Sequence, residues 1–175
     1  MPGYHETTTA PSFAGIELEK LQQLQESFAA VTNLATIIID VEGQTVTRPS
    51  NFSEVCRLVQ RTEKGKEFCD RSDKERTDRA SLTDEPVYHM CQCCGFLDGA
   101  VPIAIDNCRI GYWLIGQCNA LGVSREDLAL HAKIIGADVD AVLAAYDGME
   151  PMSVARYEQI LELLRQTVEL VTARR

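Results

Sequence analysis

The sequence of 175 residues has no apolar run near the roughly 20 residues that a membrane-spanning helix needs; its longest runs, such as Ala35–Ile39, are a handful of residues. Met1–Ser12 has neither the cationic end nor the apolar segment of an export signal. Residues 1–14 therefore read as a disordered leader, and the default compartment is cytoplasmic. Positive charge is also scarce. Seventeen Lys and Arg face 26 Asp and Glu, a net charge of −9, and such a surface repels phosphate backbones and anionic lipid. Direct nucleic-acid reading and membrane binding are excluded on that ground. Aromatic residues make up only 6%, with a single tryptophan, Trp113. There is no phosphate-cradling glycine loop, no dinucleotide fingerprint and no Gly-x-Ser-x-Gly elbow. Asp70, Asp73, Asp98 and Asp106 form no paired-carboxylate signature, and Asp70 and Asp73 read as solvated helix charges.

What is present is an ordinary soluble composition, 45% apolar and 25% charged, in a chain long enough to bury one core. Cysteine is the unusual count. There are seven, an odd number, in a chain without an export signal, so a disulfide framework is the weaker reading. Cys56, Cys69, Cys91 and Cys94 form Cys-x12-Cys-x21-Cys-x2-Cys, whose last pair has the spacing with which two thiolates grip one ion. Four thiolates suit zinc or an iron–sulfur cluster, and Cys93 substitutes for either member of the pair. Such a chelate needs a turn at 93–95, which Gly95 is suited to provide. Cys108 and Cys118 have no close partner and read as small core hydrophobes.

The periodicities order the chain as α, β-β, α-α, β-β-β, α-α-α. Leu18, Leu21, Leu24, Phe28 and Val31 mark one face of a helix ending near Asn33. Ala35–Val41 is β-branched, Glu42-Gly43 turns, and Gln44–Arg48 returns as a second strand. Ser53 caps a helix over 54–62, Gly65 breaks the pattern, and a polar helix follows over 66–80. Three strands, 87–92, 100–105 and 109–117, run as a meander. Helices over 124–135, 139–146 and 153–173 close the chain, the first capped by Ser124 with Asp127. The fold class is α+β: a PAS/GAF-like antiparallel five-stranded sheet flanked by helices, with a helical insert and a long C-terminal helix.

Asn51, Phe52, Cys56, Cys69, Ser72, Asp73, Tyr88, Gly95, Asp98, Pro102, Gly111, Gly116 and Gln117 stand in an order that resembles the PocR sensory domain family. The resemblance runs from about Leu18 to the terminal helix. One departure is clear: the family's Cys-His pair before the glycine is absent, and an ungapped count back from Gly95 finds Gln92 and Cys93 there. The resemblance implies sensing of small hydrocarbon derivatives, such as short diols, and signalling to an output domain or partner that these residues do not contain.

The expected protein is thus a ligand-sensing regulatory domain, not an enzyme, over residues 15–150, with 151–175 as a signalling or dimerisation helix. Candidate pocket residues are Phe52, Tyr88, Met90, Phe96, Tyr112, Trp113 and Gln117, apolar walls with a polar amide. Simple alternation puts Trp113, Ile115 and Gln117 on one strand face. Two rival readings use the thiols: a cysteine-ligated metal, iron–sulfur or redox sensor, and a thiol-dependent enzyme with His89 as the nearby base. Tyr157, Leu161, Leu164, Val168 and Val171 repeat at four-three-four-three, a coiled-coil seam that predicts a homodimer, and Leu163 and Leu170 widen it.

Overall fold

A computed structural model describes residue 13 and residues 15–173. The elements are α1 (Leu18–Thr32), β1 (Ala35–Asp40), α2 (Glu54–Gln60), α3 (Glu63–Ser81), β2 (Val87–Met90), β3 (Leu97–Ile105), β4 (Cys108–Cys118), α4 (Arg125–Ile135), α5 (Val139–Asp147) and α6 (Val154–Thr172). The four strands form one antiparallel sheet in the order β1-β4-β3-β2. The expected leader lies outside the described residues except for Phe13, which packs against the core. No helix among the described residues is long and apolar enough to cross a membrane.

The sheet has four strands, not five. Residues 44–48 do return beside β1, but only two isolated bridges form, Ile39 to Thr45 and Thr36 to Ser50. Side chains take over the hydrogen bonds a ladder would make. The Ile38 N–H donates to Thr47 Oγ1 at 2.9 Å, the Arg48 N–H to Gln22 Oε1 at 2.8 Å, and Gln25 Nε2 to the Arg48 carbonyl at 2.7 Å. Pro49 then removes a backbone donor. This also turns the apolar stripe of α1. Leu21 and Phe28 are buried as expected, but Gln22 and Gln25 share that face, while Leu18, Leu24 and Val31 are exposed.

Two layers of helix cover the sheet. On one side α1 and α6 bury Leu21, Phe28, Tyr157, Leu161, Leu164 and Val168 against Ile38, Val101, Trp113 and Ile115. Each such leucine contributes about 1.5–3 kcal/mol. Most of the expected coiled-coil seam is therefore used inside the chain, against the sheet; on α6 Leu163, Leu170 and Val171 remain exposed. On the other side lie α2 and α3, with α4 and α5 outside α2. Gly65 does not end this insert. It sits in the first turn of α3, where a Cβ would lie 2.2 Å from the Val59 carbonyl oxygen, so the glycine permits the tight α2–α3 corner.

Candidate functional site

Between the sheet and the α2–α3 insert is a cavity of about 440 Å3, within the size range of small-molecule sites. Its apolar wall includes Ile37 and Ile39 of β1, Leu114 of β4 and Phe52 before α2; its polar end is Asp73 and Arg76 of α3, Asp98 of β3 and Gln117. Cys56, Cys69, Cys91 and Cys94 also line it.

The polar end is built by a bulge. β3 and β4 slip register between Leu97 and Asp98, so that Leu97 pairs with Cys118 and Asp98 with Gly116. Gln117 is the extra residue, with φ of 60°. The bulge breaks simple alternation. Trp113 packs into the core under α6 and stays clear of the cavity; Ile115 belongs to that core and borders the cavity, and Gln117 lines it. Its N–H donates to Asp98 Oδ1 at 2.9 Å, and its Oε1 accepts from the Ser53 N–H at 2.8 Å. Ser53 also caps α2 by accepting from the Cys56 N–H. One glutamine therefore joins the end of β4 to the start of α2. Gly116 has to be glycine, because a Cβ there would lie 2.1 Å from Asp98 Oδ1.

Arg76 is only 6% exposed. Its Nη2 donates to Asp73 Oδ1 at 2.8 Å and its Nη1 lies 3.9 Å from Asp98 Oδ1. Its Nε is buried and has no hydrogen-bond partner among the described residues. Burial pushes the Asp98 carboxyl above the usual carboxylate range, against the pull of Arg76 and the Gln117 N–H. Asp73, whose side chain is 54% exposed, is also raised, by desolvation at the cavity against the pull of Arg76. His89 is buried and accepts from or donates to Ser72 Oγ across 3.2 Å; burial, then Arg76, lower its pKa.

Of the residues expected in the pocket, Phe52 and Gln117 line it. Tyr88 and Met90 are exposed on edge strand β2, where Tyr88 donates to Glu158 Oε1 at 2.6 Å. Phe96 is buried among the cysteines. Tyr112 faces the α3 side but packs with Ile39, Ala80 and Leu114 and sits under Arg109. Trp113 lies on the opposite face, its Nε1 donating to Thr36 Oγ1 at 2.6 Å. Arg76 and Asp98 were missed. The aspartate had a signal: it stands inside the apolar stretch Phe96–Ile103, where an unpaired carboxylate is costly.

The thiols divide. Cys56, Cys69, Cys91, Cys93 and Cys94 all belong to one apolar cluster. Cys93 Sγ lies 3.9 Å from the Gly65 carbonyl oxygen at the start of α3, one turn before Cys69. The neighbouring Cys69 and Cys94 thiols hold the Cys93 thiol well below its ordinary value, while their cysteine neighbours and burial raise Cys69 and Cys94. Cys91 turns the other way, toward Asp98 and Ser72, and burial pushes it up to about 12. The turn that separates them is closed by Gly95, with φ of 70°, whose N–H donates to the Cys91 carbonyl. No three His, Cys, Asp or Glu side chains among the described residues are placed to hold a metal ion. Cys118 is core, as expected, while Cys108 is half-exposed.

The model of a sensory domain found in PocR matches residues 15–174. The chain belongs to the PocR sensory domain family. A stretch of 106 residues is 26% identical to the regulatory protein PocR of Salmonella typhimurium, covering 61% of this chain and 35% of that relative. The chain thus matches about a third of the length of that regulator.

Proposed function

We propose that this domain senses a small organic molecule with a hydrocarbon body and a hydroxyl head, bound in the cavity between the sheet and the α2–α3 insert. The observation that carries the reading is the inner polar end of the cavity: a buried guanidinium with a free Nε beside a buried carboxylate. A hydroxyl can accept from Arg76 and donate to Asp98, which no carboxylate ligand can do. Gln117 Oε1 is already used by Ser53, which leaves its Nε2 amide to donate to a second ligand oxygen. Ile37, Ile39, Leu114 and Phe52 meet the hydrocarbon part. Short diols, which the family resemblance implies, are the first probes.

In this reading the domain is PAS/GAF-like and regulatory, not catalytic, and α6 carries the signal to an output domain or partner. α6 is coupled to the site through β3. Asp98 lines the cavity, and next to it Gly99 lies under Tyr157, whose hydroxyl donates to the Ile115 carbonyl at 3.1 Å. Pairing of two copies through the outer side of α6 is part of the proposal. Calorimetric titration with straight-chain 1,2-diols of three to six carbons tests it. Binding that Asp98→Asn and Gln117→Leu each weaken supports the site; binding unchanged in both variants places the ligand elsewhere.

A further inference from the structure

Five of the seven cysteines gather in one apolar cluster, from α2, α3 and the β2–β3 turn. A scattered set of core thiols would not concentrate this way. Cys69 and Cys93 are 8% and 1% exposed and lie in the same apolar cluster although 23 residues intervene. Cys93 also lies 3.9 Å from the Gly65 carbonyl oxygen at the start of α3. Cys69 lines the cavity and Cys93 does not, so a small reagent in the cavity reaches Cys69 first and leaves Cys93 behind it as the second thiol.

We infer that Cys69 and Cys93 are a disulfide-forming pair, oxidised by a low-molecular-weight disulfide that enters through the cavity. In the first step Cys69 attacks one sulfur of the reagent; the reagent's S–S bond breaks, a mixed disulfide forms, and one thiol leaves with the Cys69 proton. In the second, the Cys93 sulfur attacks the Cys69 sulfur, and the second thiol leaves and takes its proton from water. Two cysteines lose two electrons and the reagent's disulfide gains them. The bond ties α3, which carries Arg76 and Asp73, to the β2–β3 turn, and so fixes one wall of the cavity.

The reagent for the test is bis(2-hydroxyethyl) disulfide, added to the reduced full chain under native conditions. The expected product is a monomeric chain lighter by two hydrogens, in which tryptic peptide 67–71, holding Cys69, is cross-linked to peptide 80–109. Fragmentation of that species should assign the partner as Cys93 against Cys91, Cys94 and Cys108. The link should persist in Cys91→Ser and vanish in Cys93→Ser. A wild-type fragment spectrum assigning Cys94 or Cys91, a link that survives Cys93→Ser, or seven thiols still open to alkylation after treatment and denaturation would overturn the assignment. So would one zinc or one iron–sulfur cluster per chain in anaerobically purified protein, released only as Cys69 and Cys93 become alkylatable.

Discussion

On the α1–α6 side of the sheet, Trp113, Ile115 and Ile38 meet Phe28, Leu161 and Leu164, none more than 9% exposed. On the α2–α3 side, one residue along each strand, Ile37, Ile39 and Leu114 look across an open cavity at Arg76, Asp73 and four cysteines. The two faces come from the same strands and nearly the same β-branched composition. What separates them is the partner helix. α6 presents an apolar stripe that fills its side. α3 presents Cys69, Ser72, Arg76 and Ala80, residues too small or too polar to close the space. A face that the helix cannot fill keeps an open cavity, and the buried Arg76 and Asp98 on it face one another across 3.9 Å.

The comparison breaks most visibly at Trp113. Trp113→Ala on the filled face should cost about 3–5 kcal/mol, read as a lower urea midpoint. Removing charge from the open face should act on binding more than on folding. Asp98→Asn should weaken diol binding by about 1.5–3 kcal/mol, the worth of a hydrogen bond to a charged group, or roughly tenfold to a hundredfold in Kd. The same variant tests the buried charge through pH. Because the folded pKa of Asp98 lies above its ordinary 3.8, the unfolded chain releases the proton first as pH rises. Its stabilising contribution is therefore complete below that value and lost as pH climbs through the folded pKa. Stability of the native chain should fall over that interval, and Asp98→Asn should flatten the fall.

A smaller effect is expected at Gln117→Leu. It removes the acceptor for the Ser53 N–H and the amide offered to the ligand, about 0.5–1.5 kcal/mol for each; calorimetry should show weaker binding with the thermal transition nearly kept. The smallest belongs to Tyr88→Phe. Tyr88 is exposed and bonded to Glu158 outside the cavity, so the Kd should be unchanged and stability altered by less than about 1 kcal/mol. A loss of binding in Tyr88→Phe equal to that in Gln117→Leu would erase the distinction between the two regions.

Most of the elements were legible because their signals are local: Ser53 and Ser124 cap helices as read, and β1 is the β-branched run. The fifth strand was misread because its competitors are distant. Gln22 and Gln25, more than twenty residues away, take both backbone hydrogen bonds of Arg48. The site was half legible. Gln117 was found as an odd amide, yet its face was wrong, because a one-residue bulge at positive φ reverses the parity on which alternation depends. Asp73 is exposed, as its polar helix suggested; only the fold puts it beside Arg76 at the cavity. The cysteine spacing drew attention to the right cluster, while the turn at Gly95 decided that Cys93 sits against the start of α3 and Cys91 lines the cavity.

The most direct test watches both faces at once in the intact chain. In a 15N NMR titration with propane-1,2-diol, or a longer 1,2-diol if that binds too weakly, two side-chain signals report on opposite sides of one strand. They are the Gln117 Nε2 amide at the cavity and the Trp113 indole N–H bonded to Thr36 Oγ1. A saturable shift of the Gln117 amide with the Trp113 indole nearly still is the expected result. A shift of the Trp113 indole with the Gln117 amide unmoved would contradict the account and place the ligand on the α1–α6 side.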